Sequence, residues 1–396
     1  MFIDKNIDII CGSNQINSYP HDVGNELIVE FLNQISKTIL NEKKCKTFPD
    51  LASFAFWCRQ SNIIKIKNSL KKNRFGRGIV LHICPSNVAM NYAYSLAFGL
   101  IAGNTNIVRL PSVKFPQVNI LNNIIKHQLK KKKFKIFNKR ICLIAYKKSD
   151  DISNKLSMIS DARLIWGGDQ TINTFKKYET KPRVVDLYFA NRYSLCLINS
   201  KKFNKLKDIQ IKDLARKFFI DSYTMSQNAC SSPKSLIWSG SLFLKKKELF
   251  WNELSDVTSN KFDFDITLSN KKMLNLNRIV LSKNIKGKIE FKKFNLVRIK
   301  YKKNEIPKNL ESLQPNLGTF FEFEISKNSI LKKFISSRTQ SLTYFGYNHF
   351  ELLDLIKKNN LSGIDRIVKI GNAFEMSHIW DGSNIIENLS REIQII

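Results

Sequence analysis

Residues 78–110 carry the pattern that most restricts the fold. Gly78-Ile-Val-Leu-His-Ile-Cys84 is a short, continuously apolar run of the kind that forms a strand buried on both faces. Pro85-Ser-Asn87 interrupts it, and Ser86 or Asn87 is of the right type to cap a following helix. Val88 to Ala102 is apolar nearly all round, as in a helix buried on most sides. Gly103-Asn104 supplies the stop, and Asn106-Ile-Val-Arg-Leu110 is a second strand, halted by Pro111. Strand, buried helix and strand within roughly thirty residues make a βαβ unit and therefore a parallel sheet.

The alternation continues. A helix around Val118–Leu129 leads to the strand Arg140–Tyr146, and a helix around Ile152–Ile159 leads to the strand Ala162–Trp166. After Gly167-Gly168-Asp169 comes a helix over Thr171–Lys177, then strands at Arg183–Leu187 and Tyr193–Ile198 that extend the sheet. The pattern is that of a doubly wound, dinucleotide-type domain, although the fingerprint GxGxxG is absent. Gly167 and Gly168, at a strand end, suit either a close approach of backbone amides to a phosphate or ribose or a plain tight turn. Residues 1–75 have helical patterning at Leu27, Val29, Phe31, Leu32, Ile35, Ile39 and Leu40, read as a lead-in that packs on this domain.

A second domain begins near Lys201. Ile211, Leu214, Ala215, Phe218 and Phe219 form one buried helical stripe, and Lys234-Ser-Leu-Ile-Trp238 is a short buried strand. Between them lies Met225-Ser-Gln-Asn-Ala-Cys-Ser-Ser-Pro233, which places Cys230 at a helix-to-strand junction where a side chain can be aimed outward. A free cysteine is more often a small buried hydrophobe, so spacing alone leaves both readings open. Further elements are expected as a helix at 246–254 and strands at 278–281, 296–300 and 320–325, with another helix from Leu352. The expected division is 1–75, 76–200, 201–350, and a segment 351–396 that returns to the first domain.

Composition excludes several classes. At 396 residues and 43% hydrophobic, the chain is long and apolar enough for two or three cores. Its seven cysteines form no CxxC pair and no Cys/His cluster with zinc spacing, so neither a disulfide framework nor a metal site is expected. Reduced thiols fit a cytoplasmic enzyme. The start, Met1-Phe-Ile-Asp-Lys-Asn-Ile-Asp8, carries acids where a secretion signal would carry a basic start and an apolar run. Val88–Ala102 is too short to span a membrane. The formal charge of +32 admits an anionic partner, but the lysines are scattered and no nucleic-acid motif accompanies them. Codon bias is the preferred reading, since a charge run is usually a solvated face.

Four blocks, in order, resemble the acyl-CoA reductases of bacterial luminescence (the LuxC family), a branch of the aldehyde dehydrogenase superfamily. They are His82-Ile-Cys-Pro-Ser-Asn-Val88, Leu100-Ile-Ala-Gly-Asn-Thr-Asn-Ile-Val-Arg-Leu-Pro-Ser112, Ser226-Gln-Asn-Ala-Cys-Ser-Ser-Pro233, and Gly363-Ile-Asp-Arg-Ile-Val-Lys-Ile-Gly371 with Trp380-Asp-Gly382. The resemblance covers about residues 75–396. It implies an α/β, aldehyde dehydrogenase-like chain of two α/β domains, a Rossmann-like cofactor domain and a catalytic domain, with the active-site cleft between them.

The implied reaction is NADPH-dependent reduction of a fatty acyl thioester to the aldehyde through an acyl-cysteine. Cys230 matches the catalytic cysteine. Asn87 matches the asparagine that, beside the backbone N–H of Cys230, stabilises the oxyanion; capping the next helix is its competing role. Arg109 matches the position of a cofactor-contacting lysine, where arginine suits the phosphate of NADPH, and Ser112 follows it in the same block. The alternative for Arg109 is a surface residue at a strand end. The Gly167-Gly168 turn matches a block near the cofactor.

Oxidising relatives carry a glutamate that activates water, whereas Asp186-Leu-Tyr-Phe-Ala-Asn-Arg192, the corresponding stretch, has none. No histidine among His21, His82, His127, His349 and His378 is assigned as proton donor, and His82 reads as a satisfied core residue. Glu322 and Glu324 lie where the superfamily has a ribose-binding glutamate. If Cys230 ended a helix, the macrodipole would oppose its thiolate. The implied acyl donor is acyl-CoA, an acyl carrier protein or an acyl-protein synthetase, and the implied assembly is a homo-oligomer, with neither nucleic acid nor a membrane span involved. Rival readings are a nucleotide-independent thiol enzyme that transfers or hydrolyses acyl groups, and a basic binding protein without chemistry.

Overall fold

The computed structural model describes residues 7–282, 287–307 and 310–396. The first six residues of the acidic start lie outside them. The chain forms two compact units, one of Met1–Ala190 with Met376–Ile396 and one of Asn191–Glu375.

The first unit begins with β1 (Asp8–Gly12) and three helices, α1 (Glu26–Asn41), α2 (Pro49–Trp57) and α3 (Gln60–Ser69). After the short β2 (Arg74–Gly76) come β3 (Ile79–Ile83), α4 (Asn91–Ile101), β4 (Thr105–Arg109), α5 (Pro116–Lys130) and β5 (Ile141–Ala145). Next are α6 (Asp150–Ile159), β6 (Ala162–Trp166), α7 (Asp169–Phe175) and β7 (Val185–Phe189). The sheet order is β1-β5-β4-β3-β6-β7, parallel throughout except for β1, which runs antiparallel along β5. The five parallel strands therefore stand in the order 3-2-1-4-5 of a doubly wound nucleotide fold, with its switch point between β3 and β6.

Helix α4 is buried along its whole length, as the apolar run demands. It ends at Ile101, and Gly103, at φ +84°, turns the chain back while its N–H bonds the carbonyl of Leu100. Gly99 is glycine for a packing reason, because a Cβ there would fall 1.8 Å from Asn106 Oδ1 and 2.9 Å from His82 Nε2. His82 is fully buried in β3 and satisfied at both ring nitrogens, by Ser95 Oγ at 2.8 Å and Asn106 Oδ1 at 2.9 Å. It is the core histidine expected from the sequence.

The second unit holds β8 (Tyr193–Asn199), α8 (Ser200–Phe203), α9 (Asp208–Tyr223), β9 (Pro233–Ser239), α10 (Leu244–Lys261) and α11 (Ile266–Leu281). Then come β10 (Lys288–Lys293), β11 (Leu296–Lys300), α12 (Leu310–Leu313), β12 (Thr319–Ile325), β13 (Thr339–Phe345), α13 (His349–Lys358) and β14 (Arg366–Lys369). Its order is β10-β11-β12-β9-β8-β13-β14, with only β10 antiparallel to its neighbour. The expected strand at 278–281 is the last turn of α11. Arg278-Ile-Val-Leu281 is β-branched in composition, but Asp265 caps a helix that already runs through it. The dense block 363–371 is a structural latch: Asp221 of α9 accepts the amides of Gly371 at 2.7 Å and Ala373 at 2.9 Å.

The chain then returns to the first unit with β15 (Ile379–Trp380), β16 (Ser383–Asn384), α14 (Ile385–Asn388) and β17 (Ser390–Glu392), which pairs antiparallel with β2. Arg74 donates to Ser390 Oγ at 2.9 Å, and Asn104 Nδ2 to the carbonyl of Leu389 at 2.8 Å. Two boundaries differ from the sequence reading. The strand 193–198 belongs to the second sheet and not the first, and the return begins at Met376 and not at 351. A single strand's composition does not name its sheet; only its pairing does.

Burial pushes the His82 imidazole down to about 4, whereas in the unfolded chain it titrates near 6.5. The unfolded state therefore binds more protons in that window, and stability falls as pH drops from 6.5 towards 4. His82→Gln is expected to flatten this slope relative to the wild type, read from urea midpoints across that range. Superimposable slopes would contradict it.

Candidate active site

Four of the expected cofactor-side positions converge at the carboxyl edge of the first sheet. The turn Cys84–Val88 leaves β3, Arg109 ends β4, Ser112 follows, and Gly167-Gly168 leave β6, so all lie at the ends of β3 and the two strands beside it, with the switch point between β3 and β6. Ser86 Oγ meets Ser112 Oγ at 2.7 Å and accepts the amide of Ser112 at 3.3 Å, which ties the two turns together. Asn87 is exposed in this turn and makes no side-chain hydrogen bond among the described residues. It does not cap α4: that helix starts at Asn91, its N-cap is Met90, and no side chain caps it. The capping role offered for Ser86 or Asn87 is thus not used, and the Asn87 amide is left for another purpose.

Arg109 stacks on Tyr146, with its guanidinium carbon 4.5 Å from the ring centroid, and makes one long bond of 3.4 Å to the Tyr146 carbonyl. Among the described residues no carboxylate pairs with it. A half-buried guanidinium held flat on an aromatic face, with most donors uncommitted, suits a phosphate. The amide of Gly167 bonds Phe189, and the Gly168 carbonyl accepts from Ile172 as α7 begins. Trp166 and Phe189 stack at 4.0 Å beside this turn.

Cys230 lies in the second unit, at the amino edge of its sheet. Helix α9 ends at Tyr223, well before it, so the adverse macrodipole considered above is not at work. The intervening loop is tightly built. Ser226 and Gln227 both take left-handed backbones, at φ +52° and +59°. The buried Gln227 amide donates to the carbonyls of Pro233 and Thr319, both at 3.1 Å, and accepts the amide of Gly318 at 3.0 Å. Ser194 Oγ of β8 donates to the Cys230 carbonyl at 2.6 Å and accepts the Ser341 amide at 3.2 Å. Cys230 is half-buried, whereas the other six cysteines are buried, and no disulfide links any of the seven. Burial raises the thiols of Cys11, Cys58, Cys84, Cys142 and Cys196. Two depressions in this unit, of about 360 and 410 Å³, open beside Tyr344 and Lys369; Cys230 lines neither.

Two residues of this loop's surroundings went unnoticed in the sequence. Lys234, the second residue of β9, is buried and donates to the Gln227 carbonyl. Lys272 of α11 is also buried, donating to the Leu317 carbonyl at 2.7 Å. The available signal was a lysine opening a strand that is otherwise apolar.

The carboxylates are committed elsewhere. Asp186, the acid in the stretch where oxidising relatives carry a water-activating glutamate, is gripped by Arg163 at 2.7 and 2.6 Å and by the Tyr188 hydroxyl at 2.5 Å. Glu322 is buried, with both oxygens engaged. Oε1 takes the indole N–H groups of Trp238 and Trp251, both at 2.8 Å, and Oε2 takes Arg298 at 3.0 and 2.7 Å. It holds the core and has no oxygen to offer a ribose. Glu324 pairs with Lys247 at 2.6 Å.

With this geometry in hand, the profile of the acyl-CoA reductase (LuxC) family matches residues 62–392. The chain belongs to the LuxC family. No curated relative matches it. The fold is similar to a benzaldehyde dehydrogenase from Corynebacterium glutamicum, with a TM-score of 0.64 and 10% identity over 98% of this chain and 94% of that one. It is also similar to aldehyde dehydrogenase 21 from Physcomitrella patens, with a TM-score of 0.65 and 11% identity over 93% and 85%. A glyceraldehyde-3-phosphate dehydrogenase from Methanocaldococcus jannaschii, complexed with NADP, gives 0.62 and 15% over 93% and 89%. This LuxC-family protein is an acyl reductase, an aldehyde-forming oxidoreductase on an aldehyde dehydrogenase fold. No helix among the described residues is long and apolar enough to cross a membrane.

Removing Glu322 strands two indole N–H groups and takes one of three carboxylates from Arg298, which keeps Glu248 at 2.9 Å and Glu290 at 3.0 Å. Glu322→Ala is expected to destabilise by about 3–5 kcal/mol, the usual cost of breaking one partner from a buried ion pair. Affinity of whatever remains folded for a nicotinamide nucleotide should match that of the wild type, checked by urea unfolding beside fluorescence titration. A stable variant that has lost an affinity the wild type has would return Glu322 to the cofactor.

Proposed function

We propose that the protein reduces a fatty acyl thioester to the aldehyde with NADPH, through a covalent acyl group on Cys230. The observation that carries this reading is the setting of Cys230 in a LuxC-family chain: one half-exposed thiol on a braced loop, in a protein whose other six cysteines are buried.

The chemistry follows from the residue types. The Cys230 thiolate attacks the thioester carbon, and the carbonyl oxygen gains negative charge. The donor that the family resemblance assigns to that oxygen is the Asn87 amide, which makes no side-chain hydrogen bond among the described residues, and loss of such a donor typically costs about 10²–10³-fold. Collapse expels the donor thiol and leaves Cys230 acylated. When bound, NADPH supplies the hydride that reduces the acyl carbon. Arg109 would hold the cofactor's phosphate, with Ser112 and the Gly167-Gly168 turn as the other residues that would contact the nucleotide. The thiohemiacetal on Cys230 then breaks its C–S bond, which frees the aldehyde and restores the thiolate. Overall, acyl thioester, NADPH and one proton give aldehyde, thiol and NADP. With Asp186 bound to Arg163, no carboxylate in that stretch is available to activate water, which preserves the acyl-enzyme for reduction.

The donor is acyl-CoA or an acyl group carried on a protein, and the reducing, NADPH-rich cytoplasm is the compartment this chemistry fits. Cys230→Ala is expected to abolish both acyl loading, read by intact mass after incubation with acyl-CoAs, and NADPH oxidation. Asn87→Ala should load acyl groups slowly and lower kcat by about 10²–10³-fold. Arg109→Ala should raise the KM for NADPH more than that for NADH. Acyl loading without any NADPH binding would instead favour transfer or hydrolysis, and a fully active Cys230→Ala variant would end the covalent mechanism.

A further inference from the structure

Lys234 presents a problem of charge. Its side chain is 4% exposed, and among the described residues its ammonium has one hydrogen-bond acceptor, the Gln227 carbonyl, and no carboxylate within ion-pair distance. An ammonium with three N–H groups and a full charge is costly in such a place unless an anion or several acceptors surround it. Burial pushes Lys234 down and the nearby Cys230 pulls it partly back up, which leaves it at about 8.

The titratable groups on the strands beside β9, and on α9 and α11, have surroundings of their own. On β8, the Tyr193 hydroxyl bonds Ser235, and Cys196 is fully buried. On α9, Asp221 takes the amides of Gly371 and Ala373, and Tyr223 donates to the Asn295 carbonyl. On β12, Glu322 is closed off by Arg298 and two indoles. On α11, Lys272, which burial pushes down to about 7, bonds the Leu317 carbonyl and lies 5.3 and 5.7 Å from the rings of Phe264 and Phe294.

We propose that Lys234 is the residue that ionises Cys230: the buried ammonium and the thiolate four positions earlier form one proton-sharing pair, locked in register by Gln227. The step balances without a further reactant. The Cys230 S–H bond breaks, its proton passes to the Lys234 amine, and a thiolate and an ammonium result. Neutral amine beside thiol and ammonium beside thiolate are two states of a single coupled site, which titrates as a pair. The anion relieves the buried charge and the ammonium stabilises the nucleophile, an environment of the kind that lowers cysteine pKa values. NADPH, with an uncharged nicotinamide, need contribute nothing to this. Lys234 is a positioning residue that acts through Cys230. The inference rests on Cys230 being the nucleophile, as proposed above.

The test is the rate of alkylation by iodoacetamide against pH in the full-length protein, with Cys230→Ser as the blank. The wild type should react at Cys230 with a midpoint below the ordinary thiol value of about 8.5. Lys234→Gln keeps a donor for the Gln227 carbonyl but removes the charge, and should raise that midpoint by a unit or more, slowing alkylation about tenfold at pH 7. Lys234→Arg should restore the low midpoint. Superimposable profiles for the wild type and Lys234→Gln would overturn the proposal. Should Lys234→Gln fail to fold, thiolate absorbance near 240 nm in the wild type, minus Cys230→Ser, decides instead; an inflection at or above the ordinary value refutes the pairing. Cys230→Ser that retains reductase activity would sink the parent reading while leaving the ionisation result to stand on its own.

Discussion

The amide of Gln227 is the contact on which the proposed chemistry of the second unit depends. Three of its hydrogen bonds reach the Pro233 carbonyl at the head of β9, the Thr319 carbonyl at the head of β12 and the Gly318 amide just before it. One side chain thus joins two neighbouring strands at their amino ends and fixes the loop that spans 224–232. To point inward from that loop, Gln227 and its neighbour Ser226 adopt left-handed backbones, which non-glycine residues occupy only at a cost. The buried hydrogen bonds offset that strain. Those bonds restrain the loop, and restraint is what the proposed nucleophile needs, since it must attack along one direction. Ser194 adds the last restraint by pinning the Cys230 carbonyl to β8.

The first unit solves a different problem with the same economy of parts. A sheet in the order β5-β4-β3-β6-β7 opens a crevice where the connections from β3 and β6 leave in opposite directions. Nothing in the crossover rule requires glycine-rich sequence there, and this chain has only Gly167-Gly168. The backbone can reach the crevice because Ser86 and Ser112 cross-link the β3 and β4 turns, while Trp166 stacked on Phe189 walls the far side. The internal polar chain from Trp166 through Ser95 and His82 to Asn106 fixes α4 against β3 and β4 from beneath. Every member is satisfied by another, so the network orders the core without leaving a charge or an orphan in it.

How much of this was legible beforehand follows from range. Local patterns were readable: the βαβ unit at 78–110, the buried stripe of α9, the position of Cys230 between helix and strand. Long-range partners were not. Glu322 fits a superfamily ribose position in sequence, but the two indoles and Arg298 that consume it come from residues 238, 251 and 298, and no spacing rule joins them. Asn87 had the right type for a cap, and only the start of α4 at Asn91 shows that the cap is not made. The run 278–281 was ambiguous for the usual reason, since a short branched segment reads alike as a strand or the end of a helix. Tyr193–Asn199 was apolar enough for either sheet, and its pairing with β9 and β13 decided the matter.

The charge of the chain shows the same limit from another side. Sixty-five lysines and arginines against thirty-three acids give +32, and as a total this says little about function, because most of those side chains keep their heads in water. The informative cations are the few that do not. Lys247 is buried but has Glu324 at 2.6 Å, so its charge is answered locally and it is structural. Lys272 is buried with a carbonyl and two aromatic faces, a partial answer that suits an ammonium without an anion. Among the described residues Lys234 has a carbonyl as its one hydrogen-bond acceptor. Burial pushes Lys272 down to about 7 and Lys234 to about 8, so neither charge is fully met, and only Lys234 has Cys230 acting on it. In the proposed pair, the thiol becomes the anion when the ammonium needs one and is neutral again when it is acylated.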